Sequence, residues 1–157
     1  MRLTCLISGV GVLVAAGIWY AEASQVPAAP QNSGSLVGDL QKHGAYLVNA
    51  VGMCVKCHTP HDDQGVPMQT KMLQGSILPI RPKVETKNWA DGSPDITGAG
   101  LAGKWTEDGM VKFLMTGIDP EGNKARAPMP PFRLNPTDAR AVYIYLISLP
   151  GGKTALR

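Results

Sequence analysis

Apolar residues recur at near-helical spacing in three stretches of the chain. Leu36, Leu40, Leu47 and Val51 form the first, which predicts a helix from about Leu36 to Gly52. Gly44 lies inside it; a glycine there costs helix stability but lets another helix cross closely. Met110, Phe113 and Leu114 form the second stretch, preceded by Thr106 as a cap with Glu107 and Asp108 in the first turn, and stopped by Gly117. The third is the clearest. Ala139, Val142, Tyr143, Leu146 and Leu149 share one stripe behind Asn135 as cap, Pro136 at the first position and Asp138 in the first turn, and Pro150-Gly151-Gly152 ends it. Between the first two helices, residues 59–104 lose this period and are interrupted by Pro60, Pro67, Pro79, Pro82, Pro94 and many glycines, which predicts loop with short turns or one short helix. A loop so long is unusual unless it wraps something. Residues 118–134 form a second loop, stiffened by Pro120, Pro128, Pro130 and Pro131. No repeat and no strand pattern is evident, so the expectation is an all-α fold of three main helices joined by long loops.

The chain of 157 residues suits a single domain plus an N-terminal segment. Met1-Arg2, an apolar run from Leu3 to Tyr20 and the small-residue ending Ala21-Glu22-Ala23 describe a secretory signal peptide over residues 1–23, cleaved after Ala23. The rival reading is a retained anchor, with residues 3–20 near the lower length limit for spanning a bilayer. Residues 24–35 read as a linker, 36–150 as the folded domain and 151–157 as a tail.

The chemistry is concentrated in Cys54-Val55-Lys56-Cys57-His58. Cys-x-x-Cys-His is the attachment pattern for c-type haem: each thiol adds across a vinyl group, and the adjacent histidine reaches the iron. A structural zinc site would need further close ligands, and the remaining cysteine, Cys5, lies in the apolar N-terminal run. A dithiol redox pair would want a βαβ setting, which is not visible. The motif occurs once, so one haem is expected, held through Cys54 and Cys57. Thioether formation would consume both thiols, so no disulfide framework is implied. Covalent haem also agrees with export to the periplasm, or to the periplasmic face of the cytoplasmic membrane if residues 3–20 are retained.

The sixth iron position decides between electron transfer and small-molecule chemistry. Of seven methionines, Met53 adjoins the motif and cannot cross the ring, while Met110 and Met115 lie in the second helix and read as core. Met129 stands between Pro128 and Pro130, and prolines on both sides restrict its backbone and lower the entropy that ligation must overcome. It is the expected ligand, with Met68 and Met72 as alternatives. His61 is too near His58 to reach the opposite face, and His43 reads as a surface or packing residue on the first helix.

Together, the helix with Gly44, the motif from Cys54 to His58, Met129-Pro130 and the capped last helix with Tyr143 resemble a class I c-type cytochrome. More narrowly, Gly44-Ala45-Tyr46-Leu47-Val48, Gly52-Met53-Cys54, Cys57-His58-Thr59-Pro60 and Trp105-Thr106-Glu107-Asp108 resemble haem domains in cytochrome subunits of bacterial alcohol, gluconate and aldehyde dehydrogenases. Those subunits usually carry three such motifs and this chain carries one. The resemblance implies a cytochrome c fold, a crossing of first and last helices near Gly44 and Tyr143, and contacts from Trp105 and Arg126, with Trp89 a further candidate, to the propionates or ring edge. It implies an electron carrier rather than an enzyme, passing single electrons from a dehydrogenase or quinol-oxidising complex toward an oxidase or reductase. A dedicated subunit of a larger oxidoreductase is the alternative, and an open-site haem enzyme or gas sensor follows only if Met129 does not bind. The net charge of +3 comes without a block of like charges, which does not suggest nucleic-acid binding and offers only weak steering toward an acidic redox partner.

Overall fold

The computed structural model describes residues 33–151. The expected signal segment, most of the linker and the tail from residue 152 lie outside them. The first helix, α1 (Ser33–Tyr46), begins three residues before the expected Leu36 and passes into a π-turn over Leu47–Val51. Short α2 (Val55–His58) carries the motif, and short α3 (Gly98–Leu101) follows the first loop. Then come α4 (Glu107–Thr116) and α5 (Pro136–Ser148). Among the described residues no helix is long and apolar enough to cross a membrane.

The helix ends follow their local chemistry. Thr106 Oγ1 accepts a hydrogen bond from Gly109 N at 3.1 Å at the start of α4. Gly117 stops that helix in the left-handed region, φ 73°. At the start of α5, Asn135 Oδ1 accepts from Asp138 N at 2.9 Å, with Pro136 behind it. The most extensive helix contact is between α1 and α5, with α4 next against α5. A Cβ on Gly44 would overlap Ala141 O and stand 2.8 Å from Tyr145 Cβ. The crossing therefore falls between Ala141 and Tyr145, one helical turn that includes the expected Tyr143. His43 Nε2 meets Asp138 Oδ1 at 2.7 Å and joins α1 to the start of α5. Leu47, Val48, Leu101, Met110, Leu114, Ala139, Ala141, Val142 and Leu146 are buried around this crossing. Each large aliphatic side chain there contributes about 1.5–3 kcal/mol by leaving water.

Beyond the three main helices, the sheet departs from the expectation of none. There are five α-helices, two of them four residues long, and one antiparallel pair of strands, β1 (Gln74–Ile77) and β2 (Gly92–Asp95), among the described residues. Ser76 pairs with Ser93 and Gln74 with Asp95. Gln-Gly-Ser-Ile and Gly-Ser-Pro-Asp contain no apolar alternation, so period gave no sign of strands. Hydroxyl groups hold them instead: Ser76 N donates to Ser93 Oγ at 3.0 Å, and both serines are buried.

Candidate haem site

Met53 turns the chain from the π-turn into the motif with φ 49°, in the left-handed region that a side chain seldom adopts. Cys54 N donates to Val48 O at 2.9 Å, and His58 N to Cys54 O at 2.8 Å, so Cys54, Cys57 and His58 sit on one helical turn. Both cysteines are free and half-buried. Burial pushes the Cys54 thiol above its ordinary value, and the neighbouring Cys57 adds to the rise.

The hairpin aims the histidine. His58 is buried, and its Nδ1 donates to Pro94 O on β2 at 2.8 Å. A carbonyl only accepts, so Nδ1 carries the proton and Nε2 keeps its lone pair for a metal. Burial holds the ring below its ordinary pKa, against the opposing pull of the Pro94 carbonyl and the Asp95 charge. One residue away, Ser93 Oγ donates to Cys57 O at 2.5 Å. Thr59, fully buried, accepts from Leu73 N at 3.0 Å and donates to Met72 Sδ at 3.8 Å. That contact engages the Met72 sulfur beside the histidine's own segment.

Met129 lies in the loop between α4 and α5, half-buried, with its N–H donated to Arg126 O at 3.0 Å. Arg126 is exposed, and its Nη2 donates to Trp89 O at 2.5 Å. Ala90 N donates to Ala127 O at 2.7 Å, so the methionine loop runs beside residues 89 and 90. Trp105 packs against the core with its ring centroid 5.2 Å from that of Phe113, tilted by 52°. Met110 is buried and Met115 half-buried on α4, and His61 is half-buried in a backbone bridge with Pro67.

Several features fit a haem. An apolar cavity of about 240 Å³ opens beside Cys54, lined by Leu47, Val51, Leu114, Phe132 and Leu134, and Cys57, His58 and Met129 lie outside its lining. Among the described residues, the Trp89 indole N–H is the buried side-chain polar group left without a partner. An orphaned donor in such a place is costly unless a bound group accepts from it, and a propionate is such an acceptor. A larger depression of about 870 Å³ lies over Lys56, Pro60, His61, Lys71 and Ile77, and neither motif thiol nor the His58 ring lines it. Among the described residues there is no group of three or more His, Cys, Asp or Glu arranged to hold a metal ion by itself.

The sequence reading missed Ser93 and Pro94. Gly92-Ser93-Pro94-Asp95 looks like any turn, and only pairing with β1 sets it against the motif. Of the two tryptophan contact candidates, Trp89 has a buried indole N–H without a partner, and Trp105 packs beside Phe113.

The chain is 31% identical over 120 residues to a subunit of nicotinate dehydrogenase from Pseudomonas putida, a match covering 72% of this chain and 9% of that protein. It is 30% identical over 121 residues to a dihaem cytochrome c-type protein of Cereibacter sphaeroides, covering 72% and 38%. The cytochrome c subunit of a quinone alcohol dehydrogenase from Gluconobacter oxydans is 32% identical over 104 residues, covering 64% and 21%. The chain thus spans well under half the length of each relative. A sequence model of cytochrome c matches residues 42–150, from α1 through the end of α5 and across every element of the site. The chain belongs to the cytochrome c family, the electron-transferring proteins that carry haem c.

Proposed function

We propose that this cytochrome carries one haem c through Cys54 and Cys57, with His58 and Met129 as axial ligands, and passes single electrons from a dehydrogenase to an acceptor protein. The observation that carries this reading is the His58 ring, held by Pro94 with its metal-binding nitrogen free, on the same turn as two unpaired thiols. Bound haem supplies a one-electron iron couple; the protein's residues do the rest. With haem bound, His58 and Met129 would hold the iron from the protein side and leave small ligands no place on it. Leu47, Leu114, Phe132 and Leu134 keep water from one side of the crevice, which together with a thioether ligand favours the reduced state. Trp105, Arg126 and Trp89 are the side chains proposed to meet the propionates or ring edge, and the unpartnered Trp89 N–H supports the last of these. Similarity to dehydrogenase subunits supports a dehydrogenase as electron donor. The same relatives favour a second reading, a dedicated cytochrome subunit, and co-purification with a catalytic subunit would select it over a free carrier. The pattern of residues 1–23 supports export to the periplasm, and the mass of the exported protein would reveal whether they are removed.

The test is spectroscopy of the haem-loaded protein beside Met129→Ala. The parent should be low-spin in both oxidation states with a sulfur-to-iron band, and the variant should lack that band. Persistence of the band in the variant removes Met129 as ligand. Tight carbon monoxide binding by the reduced parent would turn the reading toward an open-site enzyme or sensor.

A further inference from the structure

Residues 89–94 touch both halves of the site. At one end, Pro94 O accepts from His58 Nδ1 at 2.8 Å and Ser93 Oγ donates to Cys57 O. At the other, Ala90 N donates to Ala127 O at 2.7 Å and Trp89 O accepts from the Arg126 guanidinium at 2.5 Å. Arg126 then holds Met129 through its own carbonyl, which accepts from Met129 N at 3.0 Å. The ends of the methionine loop are fastened elsewhere, to α4, by Ala125 N to Gly117 O at 3.0 Å and Leu134 N to Leu114 O at 3.2 Å.

We infer that Arg126 is a positioning residue for the axial methionine, closing a clasp in which one short segment sets both iron ligands. The inference rests on Met129 being the ligand. An iron–thioether bond is weak, so it depends on the loop being ordered before the bond forms. The α4 anchors fix where the loop begins and ends, but not the depth of its middle. The Ala90–Ala127 backbone bond and the Arg126 side chain together fix the middle, and the side chain adds a charge-assisted bond to the segment that also holds His58. Because Arg126 is exposed, water competes with that bond, and its loss loosens the loop without unfolding the α1–α4–α5 core.

The experiment follows imidazole displacement of the sulfur-to-iron band in the haem-loaded full chain, comparing the parent with Arg126→Ala, Arg126→Lys, Ala139→Gly and Met129→Ala. Half-displacement in Arg126→Ala should need about tenfold less imidazole, the loss of one charge-assisted hydrogen bond. Arg126→Lys, which keeps a charged donor, should fall between it and the parent. Ala139→Gly weakens the buried face of α5 and should lower the unfolding midpoint while leaving the imidazole requirement unchanged. Parent-like displacement in Arg126→Ala, or in Arg126→Lys if the alanine variant does not fold, overturns the clasp while the ligand assignment stands. A band that survives in Met129→Ala overturns the ligand assignment, and the clasp with it.

Discussion

The α1–α5 crossing and the segment from His58 to Thr97 solve opposite problems. In the crossing, aliphatic side chains are buried and a glycine allows the backbones to meet. In the segment lie all the buried polar residues among those described: His58, Thr59, Ser76, Ser93 and Thr97. Several of them bond backbone groups distant in sequence: Ser93 to Cys57 O, His58 to Pro94 O, and Thr59 to Leu73 N. The first region makes the chain fold, through burial that is strong and non-directional. The second aims the iron-binding groups, through hydrogen bonds whose net stabilisation is modest but whose geometry is narrow. Damage to the first should therefore be read mainly in stability, and damage to the second mainly in the spectrum.

Gly44→Val puts that division to its hardest test. Its side chain would collide with the Ala141 carbonyl, and backbone there cannot yield cheaply. Unfolding by urea should show a loss of about 3 kcal/mol or more; an unshifted midpoint would place the crossing elsewhere. Leu146→Ala, at a site 3% exposed, should cost about 2–5 kcal/mol with the haem spectrum unchanged. Ser93→Ala sharpens the contrast from the other side. It removes the donor to Cys57 O and the acceptor for Ser76 N, a loss of about 1–3 kcal/mol, and should also shift the haem spectrum or potential. A parent-like spectrum in that variant would show that the hairpin does not aim the site.

Acid should act through the second region as well. Burial lowers the pKa of His58 in the folded state, so below the ordinary imidazole value of 6.5 the unfolded chain takes up a proton that the folded chain resists. The contribution to stability is whole above that pH and is lost as pH falls toward the folded value. Thermal midpoints of the haem-free chain, where no iron holds the ring, should decline as pH falls from neutral, and a midpoint that rises on acidification would contradict the burial. His43→Ala should have the smallest effect, about 0.5 kcal/mol by denaturant unfolding, because the pair with Asp138 is partly open to water. A much larger loss would make that pair part of the crossing itself.

The three long helices were legible because caps, stops and apolar period are local: Thr106 and Gly117 around α4, and Asn135 and Pro136 before α5, act within a turn of themselves. Cys54, Cys57 and His58 were legible for the same reason, since attachment chemistry requires them side by side. The hairpin was not, because Ser76 and Ser93 become strand residues only by meeting each other across the sheet. Nor did composition separate Trp89 from Trp105; one packs beside Phe113 and the other keeps a buried, unpartnered N–H, a distinction made by neighbours far along the chain. Residue order alone was enough for the long helices and for the chemistry of the motif. What aims them was settled by the folded chain, because a hydrogen bond from His58 to Pro94 or from Arg126 to Trp89 spans dozens of residues and leaves no period in the chain to read.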